Sequence, residues 1–325
     1  RYISAQDYGE VYDVNVASMS LTQTIVVNKV TVPDDIAHGS GVPNFLSSIV
    51  VSPDGETAYV TGSKANTDNT QLDDDNTVRP MMVIIDLVVG QDKTTLDSSD
   101  VSNTIDFDNA ADPAGVTYLT DGATRVVALQ GNNAILAEHT LRNVSAKFPT
   151  GGAPQQLCAT DRILYVKNFT TRDISAIDIS AFMYNSRINP SIVTINTVPE
   201  HIELLSESAL DGLQTFYHSS MPEMGLEGYM SCASCHQDGG QDGRVWNMAG
   251  LGEELRNTLS LNGTSGTRFG NLHWSQNFDE VQDFEIQMEQ LNGGTGLLDF
   301  TFGENDDPLS VLTSFEPDAE KLNNL

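Results

Sequence analysis

Cysteine is scarce, three in 325 residues, so no disulfide framework can hold the fold. Basic residues are scarce as well, with 16 Lys and Arg against 45 Asp and Glu and a net charge of -29. A field of that sign repels nucleic acid and anionic membrane surfaces. It suits a cationic partner, bound calcium or, most simply, solubility in a salty environment. No apolar run approaches the ~20 residues of a membrane span, and the longest candidate, Met81 to Val89, is interrupted by Asp86. The chain opens at Arg1 without a charged-then-apolar leader, which predicts a mature or trimmed product. With 39% hydrophobic residues there is enough to bury a core, and the length admits two domains.

The first two hundred residues carry no long amphipathic helix; they read as short β-rich runs between Asp, Gly and Pro turns. Val11-Tyr12-Asp13-Val14, Ile84-Ile85-Asp86-Leu87 and Ala176-Ile177-Asp178-Ile179 recur, with Val126-Val127-Ala128-Leu129 as a copy lacking the Asp. Most of these intervals suit a four-stranded propeller blade. A turn before a strand recurs too, at Pro53-Asp54-Gly55, Asp121-Gly122 and Asp161-Arg162, each preceded by a proline that begins a blade: Pro43, Pro113 and Pro154. Val51-Ser52-Pro53-Asp54-Gly55 followed by Tyr59-Val60-Thr61-Gly62 resembles the YVTN-type β-propeller family, with Gly62 in place of the usual Asn. About four blades fit, fewer than is common among such relatives, and Tyr2-Ile3-Ser4 reads as though the chain begins inside a blade. The acidic insertion Asn66 to Arg79, with Asp73-Asp74-Asp75, reads as a solvated loop, calcium being the minor alternative.

After Pro190 the strand pattern fades, and Ser208 to Ser219 has apolar residues at helical spacing. Cys232-Ala233-Ser234-Cys235-His236 then forms a C-x-x-C-H run, the pattern of covalent c-type haem attachment: two thiols add to the vinyl groups and the imidazole ligates iron. Chance would produce it in roughly one of two thousand chains of this composition. A zinc half-site or a redox dithiol would need a second ligand pair or a thioredoxin-like context, which the sequence does not show. The remaining Cys158, in an apolar run, is expected to be a buried inert thiol. Arg244 and Arg256 are candidates to neutralise haem propionates, and Trp246 and Trp274, the only tryptophans, to pack against the macrocycle. Phe278 to Leu291 is predicted to be a helix, with Asn277 and Glu280 as its capping box.

Residues Ser231 to Gly239, Asp242-Gly243-Arg244-Val245-Trp246, Arg256-Asn257-Thr258 and His273-Trp274 resemble the first haem domain of the bacterial di-haem cytochrome c peroxidase family, in members that carry a propeller ahead of the haem region. The resemblance implies export to the periplasm or beyond, and a mainly β propeller-like region over 1–204 followed by a small α-helical c-type cytochrome domain over 205–325. In that family a second haem domain follows; this chain stops soon after Glu316-Pro317, so truncation or a second haem from another chain is expected. The resemblance places His273 near the sixth iron position, with Met248 as the alternative where relatives carry a loop histidine. It puts Trp274 between two haems, and makes Glu280 or Glu285 candidate acid-base carboxylates for O–O cleavage. The functions expected are electron transfer with peroxidase-like chemistry fed by a redox partner protein, or a propeller-based assembly protein whose haem is only a relay.

Overall fold

The computed structural model describes residues 2–5, 9–35, 38–92, 104–184, 189–199, 202–251, 254–263, 272–276, 278 and 281–297. The first sheet holds β1 (Tyr2–Ala5), β2 (Glu10–Asn15) and β3 (Ser20–Val26). The second holds β4 (Val42–Val51), β5 (Thr57–Ala65) and β6 (Val78–Asp86), with β7 (Gln91–Asp92) and β8 (Thr104–Asp106) both pairing β6. The third is the meander β9 (Pro113–Tyr118), β10 (Thr124–Leu129), β11 (Ala134–His139) and β12 (Val144–Pro149). The fourth is β13 (Pro154–Ala159), β14 (Ile163–Asn168), β15 (Asp173–Asp178) and β16 (Ser191–Asn196), with the short helix α1 (Ser180–Tyr184) before its last strand. All pairings in these sheets are antiparallel. Strand β1 lies beside β4, β4 beside β9 and β9 beside β13, which is the stacking of blades in a β-propeller.

Period-two alternation explains why the central strands are apolar on both faces. On β6, Met81, Val83 and Ile85 enter the core shared with Val11 and Ile25 of the first sheet, while Met82 faces the opposite way, toward Val127 and Leu129 of the third. On β10, Val126 turns toward Leu164, Val166 and Ile177 of the fourth sheet. Each such fully buried aliphatic side chain contributes about 1.5–3 kcal/mol. The far face of the fourth sheet has no blade against it among the described residues, and Tyr165, Val193 and Ile195 are exposed there.

The prolines and the Asp-Gly turns mark the blades in phase: Pro43, Pro113 and Pro154 lie at or next to the starts of β4, β9 and β13, and each turn closes the first hairpin of its sheet. The apolar-Asp recurrence is less regular. Its copies fall on the third strand of the second and fourth sheets but on the second strand of the first, β2, and of the third, β10.

The expected small α-helical cytochrome domain is not present as a separate unit among the described residues. After β16, a strand that lies beyond Pro190, the chain forms α2 (Glu207–Tyr217), the ribbon β17 (Val245–Asn247) with β18 (Leu255–Asn257), and the short helix α3 (Glu285–Gln290) joined to a 3-10 turn, Val281–Phe284. Glycines at 225, 228, 239, 240 and 243 interrupt regular structure. The helical runs are too short to enclose a core, and apolar residues here share clusters with the propeller instead: Tyr229, Met230 and Trp246 with Ala65 and Val78, and Tyr217 and Ala233 with Ala153. Helix α2 begins at the N-cap Ser206, whose side chain accepts from Ala209 N–H. The predicted cap residues Asn277 and Glu280, and the C-terminal run from Glu316, lie outside the described residues.

Candidate haem-attachment site

Cys232–Ser234 forms a single 3-10 turn whose flanks reinforce each other: Ser231 and Ser234 make a capping box, with Ser231 N–H donating to Ser234 Oγ at 3.0 Å. His236 N–H donates to the Cys232 carbonyl at 3.0 Å, completing one helical turn that carries both thiols and the imidazole. Neither thiol is in a disulfide, and both are partly exposed. Cys232 packs with Met221, Met224, Met288, Val281 and Leu297, and Cys235 with Leu72, Tyr229, Trp246, Met248 and Leu291.

Loss of hydration pushes the Cys232 thiol up to about 11 and the Cys235 thiol well above its usual range. An activated nucleophilic thiolate requires the opposite shift. Burial holds the His236 imidazole below its ordinary value, hence neutral. Its Nδ1 lies 3.2 Å from the Gly240 carbonyl, which the Gln237–Gly239 turn brings back under the ring. The Leu259 carbonyl acts on the same ring; an Nδ1–H donated to Gly240 would leave the lone pair on Nε2, the tautomer that ligates iron. Among the described residues no three His, Cys, Asp or Glu side chains are grouped to hold a metal ion, Asp73, Asp74 and Asp75 included. Two free thiols on one turn, beside a neutral imidazole with a carbonyl behind it, are the donor set haem c requires.

The other sequence candidates are only partly gathered here. Trp246 is buried against the Cys235 cluster, and its Nε1–H donates to Asp242 at 2.9 Å and to Thr258 Oγ1 at 3.1 Å. Met248 packs on the same cluster. Arg244 is tied to the propeller, donating to the Pro43 carbonyl at 2.7 Å and to Asn44 Oδ1 at 3.3 Å. Arg256 donates to the Leu255 carbonyl and lies 3.8 Å from exposed Glu254. Trp274 is 58% exposed, its Nε1–H on the Asn257 carbonyl at 2.8 Å. His273 stacks on Phe278 at 3.9 Å between ring centres, meets the edge of Phe284, and has Nε2 3.1 Å from Gln287 Nε2. Glu285 is fully buried and accepts from Leu297 N–H at 2.9 Å, which closes the loop after α3.

Three features were not anticipated from the sequence. The acidic insertion is not a detached solvated loop: Leu72 packs into the Cys235 cluster, and burial raises Asp73 and Asp74 above the usual carboxylate range. Cys158 is exposed rather than buried, because alternation on β13 turns it outward opposite Tyr165. Most consequential is Asp112, from the loop before β9, which accepts from Ser231 Oγ at 2.9 Å and so fastens the haem motif to the propeller. Its only sequence signal was a serine on the flank of the first cysteine.

No protein-family model matches the chain, and no curated protein matches it. Among solved structures it is similar to hydrazine synthase of Kuenenia stuttgartiensis, with a TM-score of 0.43 and 12% identity over 60% of this chain and 59% of that one. It is similar to the WD40 repeats of RRP9, with a TM-score of 0.38 and 11% identity over 60% and 47%. A third likeness is to the periplasmic gluconolactonase PpgL of Pseudomonas aeruginosa, at 0.37 and 13% over 60% and 50%. The chain thus spans less than two thirds of each of these structures. With TM-scores this low they carry no argument about the site, and the blade topology stands without them.

Proposed function

We propose that this chain is an exported propeller scaffold bearing one covalently attached haem c, which relays electrons between proteins docked on the assembly. The observation that carries the reading is the C-x-x-C-H turn: two free thiols three residues apart and a neutral His236 whose Nδ1 is occupied by the Gly240 carbonyl. Cys232 and Cys235 would hold the porphyrin and His236 Nε2 the iron; the group, when bound, supplies one-electron chemistry.

The chain's own residues do the rest. The Gly240 carbonyl orients the imidazole and raises its basicity as a ligand. Trp246 and Met248 on one side, and Met224 and Met288 on the other, give the two thiols an apolar setting. For the sixth position the packing favours Met248, which shares the Cys235 cluster, over His273, whose ring is already engaged by Phe278, Phe284 and Gln287. Histidine and methionine together suit an electron carrier of raised potential. The finer resemblance to di-haem peroxidases would ask Glu285 to serve as acid and base, yet its carboxylate is committed to Leu297 N–H. Covalent haem attachment implies maturation outside the cytoplasm, in the periplasm or beyond. The net charge of -29 favours a cationic redox partner.

The test is an intact mass of protein produced with c-type maturation machinery. The expected mass exceeds that of the chain by one haem, and Cys232→Ser with Cys235→Ser abolishes the increment. A wild-type mass without haem sinks the proposal. A low-spin reduced spectrum indifferent to carbon monoxide and peroxide supports the relay; peroxide turnover would replace it with the peroxidase reading.

A further inference from the structure

A small cleft, open in part to solvent, lies between the second and third sheets and ends on the C-x-x-C-H turn. Its walls include Ser47, Ser63, Asp112 and Gln130 of the propeller and Ala233 and Gln237 of the motif segment. Gln130 is 2% exposed and its amide nitrogen has no hydrogen-bond partner. Asp112 sits at this wall in the left-handed region, φ 51°, and keeps part of its surface open. Its carboxylate accepts from Ser231 Oγ, next to the first haem cysteine.

We propose that Asp112 is the redox-linked proton acceptor of this protein, taking up a proton from solvent in the cleft when an electron reaches the adjoining haem motif. The inference rests on the haem c reading above. Three observations support it independently of one another: the carboxylate touches the motif through Ser231, the cleft gives it a route to water, and among the described residues no cation forms an ion pair with it. The titratable group facing it from α2 is Tyr217; the Cys232 and Cys235 sulfurs also face it, as free thiols whose ionisation the Asp112 carboxylate opposes and as uncharged thioethers once haem is attached. Tyr217 in turn donates to Asp238 at 2.9 Å, and Asp242 acts on Cys235. From β4 and β5 the cleft receives only the uncharged Phe45, Ser47, Gly62 and Ser63; Lys64, one residue on, is paired with Asp106. The carboxylate is held up at about 6, first by loss of hydration, against hydrogen bonds from Ser234 and Ser231 that lower it.

The balance is one electron and one proton. The electron comes from a one-electron donor protein, or from the mediator in a titration, and reduces the iron from the ferric to the ferrous state. The added negative charge raises the affinity of Asp112 for a proton, which the cleft supplies. Below the range near pH 6 the group is protonated in both states and has no effect. Above it, the reduction equilibrium should fall tenfold per pH unit, about 59 mV for one electron, until the reduced form also ionises.

The experiment is a potentiometric titration of the haem across pH 5 to 9, on wild type, Asp112→Asn and Ser231→Ala, each checked by intact mass. Haem propionates titrate alike in all three, so the difference isolates Asp112. Asp112→Asn is expected to keep its haem and lose the slope. Ser231→Ala removes a donor that favours the ionised form and is expected to move the slope to higher pH. A haem-bearing Asp112→Asn with the wild-type profile overturns the inference and leaves the haem reading intact. Should that variant not fold, an unmoved profile in Ser231→Ala overturns it instead. A chain without covalent haem overturns both.

Discussion

Asp112 also has a measurable cost in the folded protein whatever the haem does. Its folded pKa of about 6 stands above the 3.8 of an ordinary aspartate, so the native state binds the proton more tightly than the unfolded chain. Stability therefore falls as pH rises from about 4 to 6 and is flat above that range. The shift corresponds to a loss of about 1–3 kcal/mol at neutral pH. Asp112→Asn is expected to recover most of it at pH 7.5 and nothing at pH 4, read as the difference between urea unfolding curves at the two pH values. An equal effect at both would show that the carboxylate is not strained by burial. The same scale separates the residues the motif announced from those it did not. Cys232, Cys235 and His236 are legible because the chemistry fixes their spacing. Asp112 is not, because it lies 119 residues from Ser231 and only folding joins them.

At the scale of elements, buried polar pairs fix how strands lie within and between blades. Lys64 on β5 is 0% exposed, with Nζ 2.6 Å from both oxygens of Asp106 on β8, and that carboxylate also accepts from Gly39 N–H and Thr104 Oγ1. Burial lowers the Lys64 pKa, and the Asp106 charge opposes that shift. Lys64→Met would leave the carboxylate without its cation and is expected to cost about 3–5 kcal/mol in chemical denaturation. A loss below about 1 kcal/mol would mean that water reaches the pair. Nothing in the local pattern of β5 marks Lys64 as buried; alternation assigns it a face, and the partner strand decides what covers that face. The acidic insertion shows the same limit, since Asp73 to Asp75 read as solvent-facing while Leu72 carries the loop into the Cys235 cluster.

Across the whole molecule, the segment that carries the C-x-x-C-H run is a cap on the propeller, with no separate core among the described residues. Asn132, just after β10, holds the two together: its Nδ2 donates to Ser219 Oγ, Ser220 Oγ and the Gly228 carbonyl at 3.0–3.1 Å, and its Oδ1 accepts from Ala111 N–H at 2.7 Å. Tyr229 adds a hydroxyl donated to Asp108 and a ring under Arg79, 4.7 Å from its centre. Asn132→Ala is expected to cost roughly 1–3 kcal/mol, because buried partners lose their hydrogen bonds. Hydrogen exchange should then quicken between Ser219 and Met230 while β10 and β14 stay protected. Uniform quickening would show that cap and blades unfold as one.

What the sequence determined by itself is what local chemistry and periodicity encode: short strands closed by Asp-led turns, the prolines that open blades, a helix within Ser208 to Ser219, and the C-x-x-C-H run. Each depends on residues within one turn or one strand of each other. The tertiary structure alone decided that the region after the fourth sheet shares its core with the propeller, that Glu285 is bound to Leu297, and that Asp112 and the cleft meet the haem motif. Those facts come from contacts between residues far apart in the chain, where burial and hydrogen-bond satisfaction act on side chains whose local sequence gives no sign of their partners.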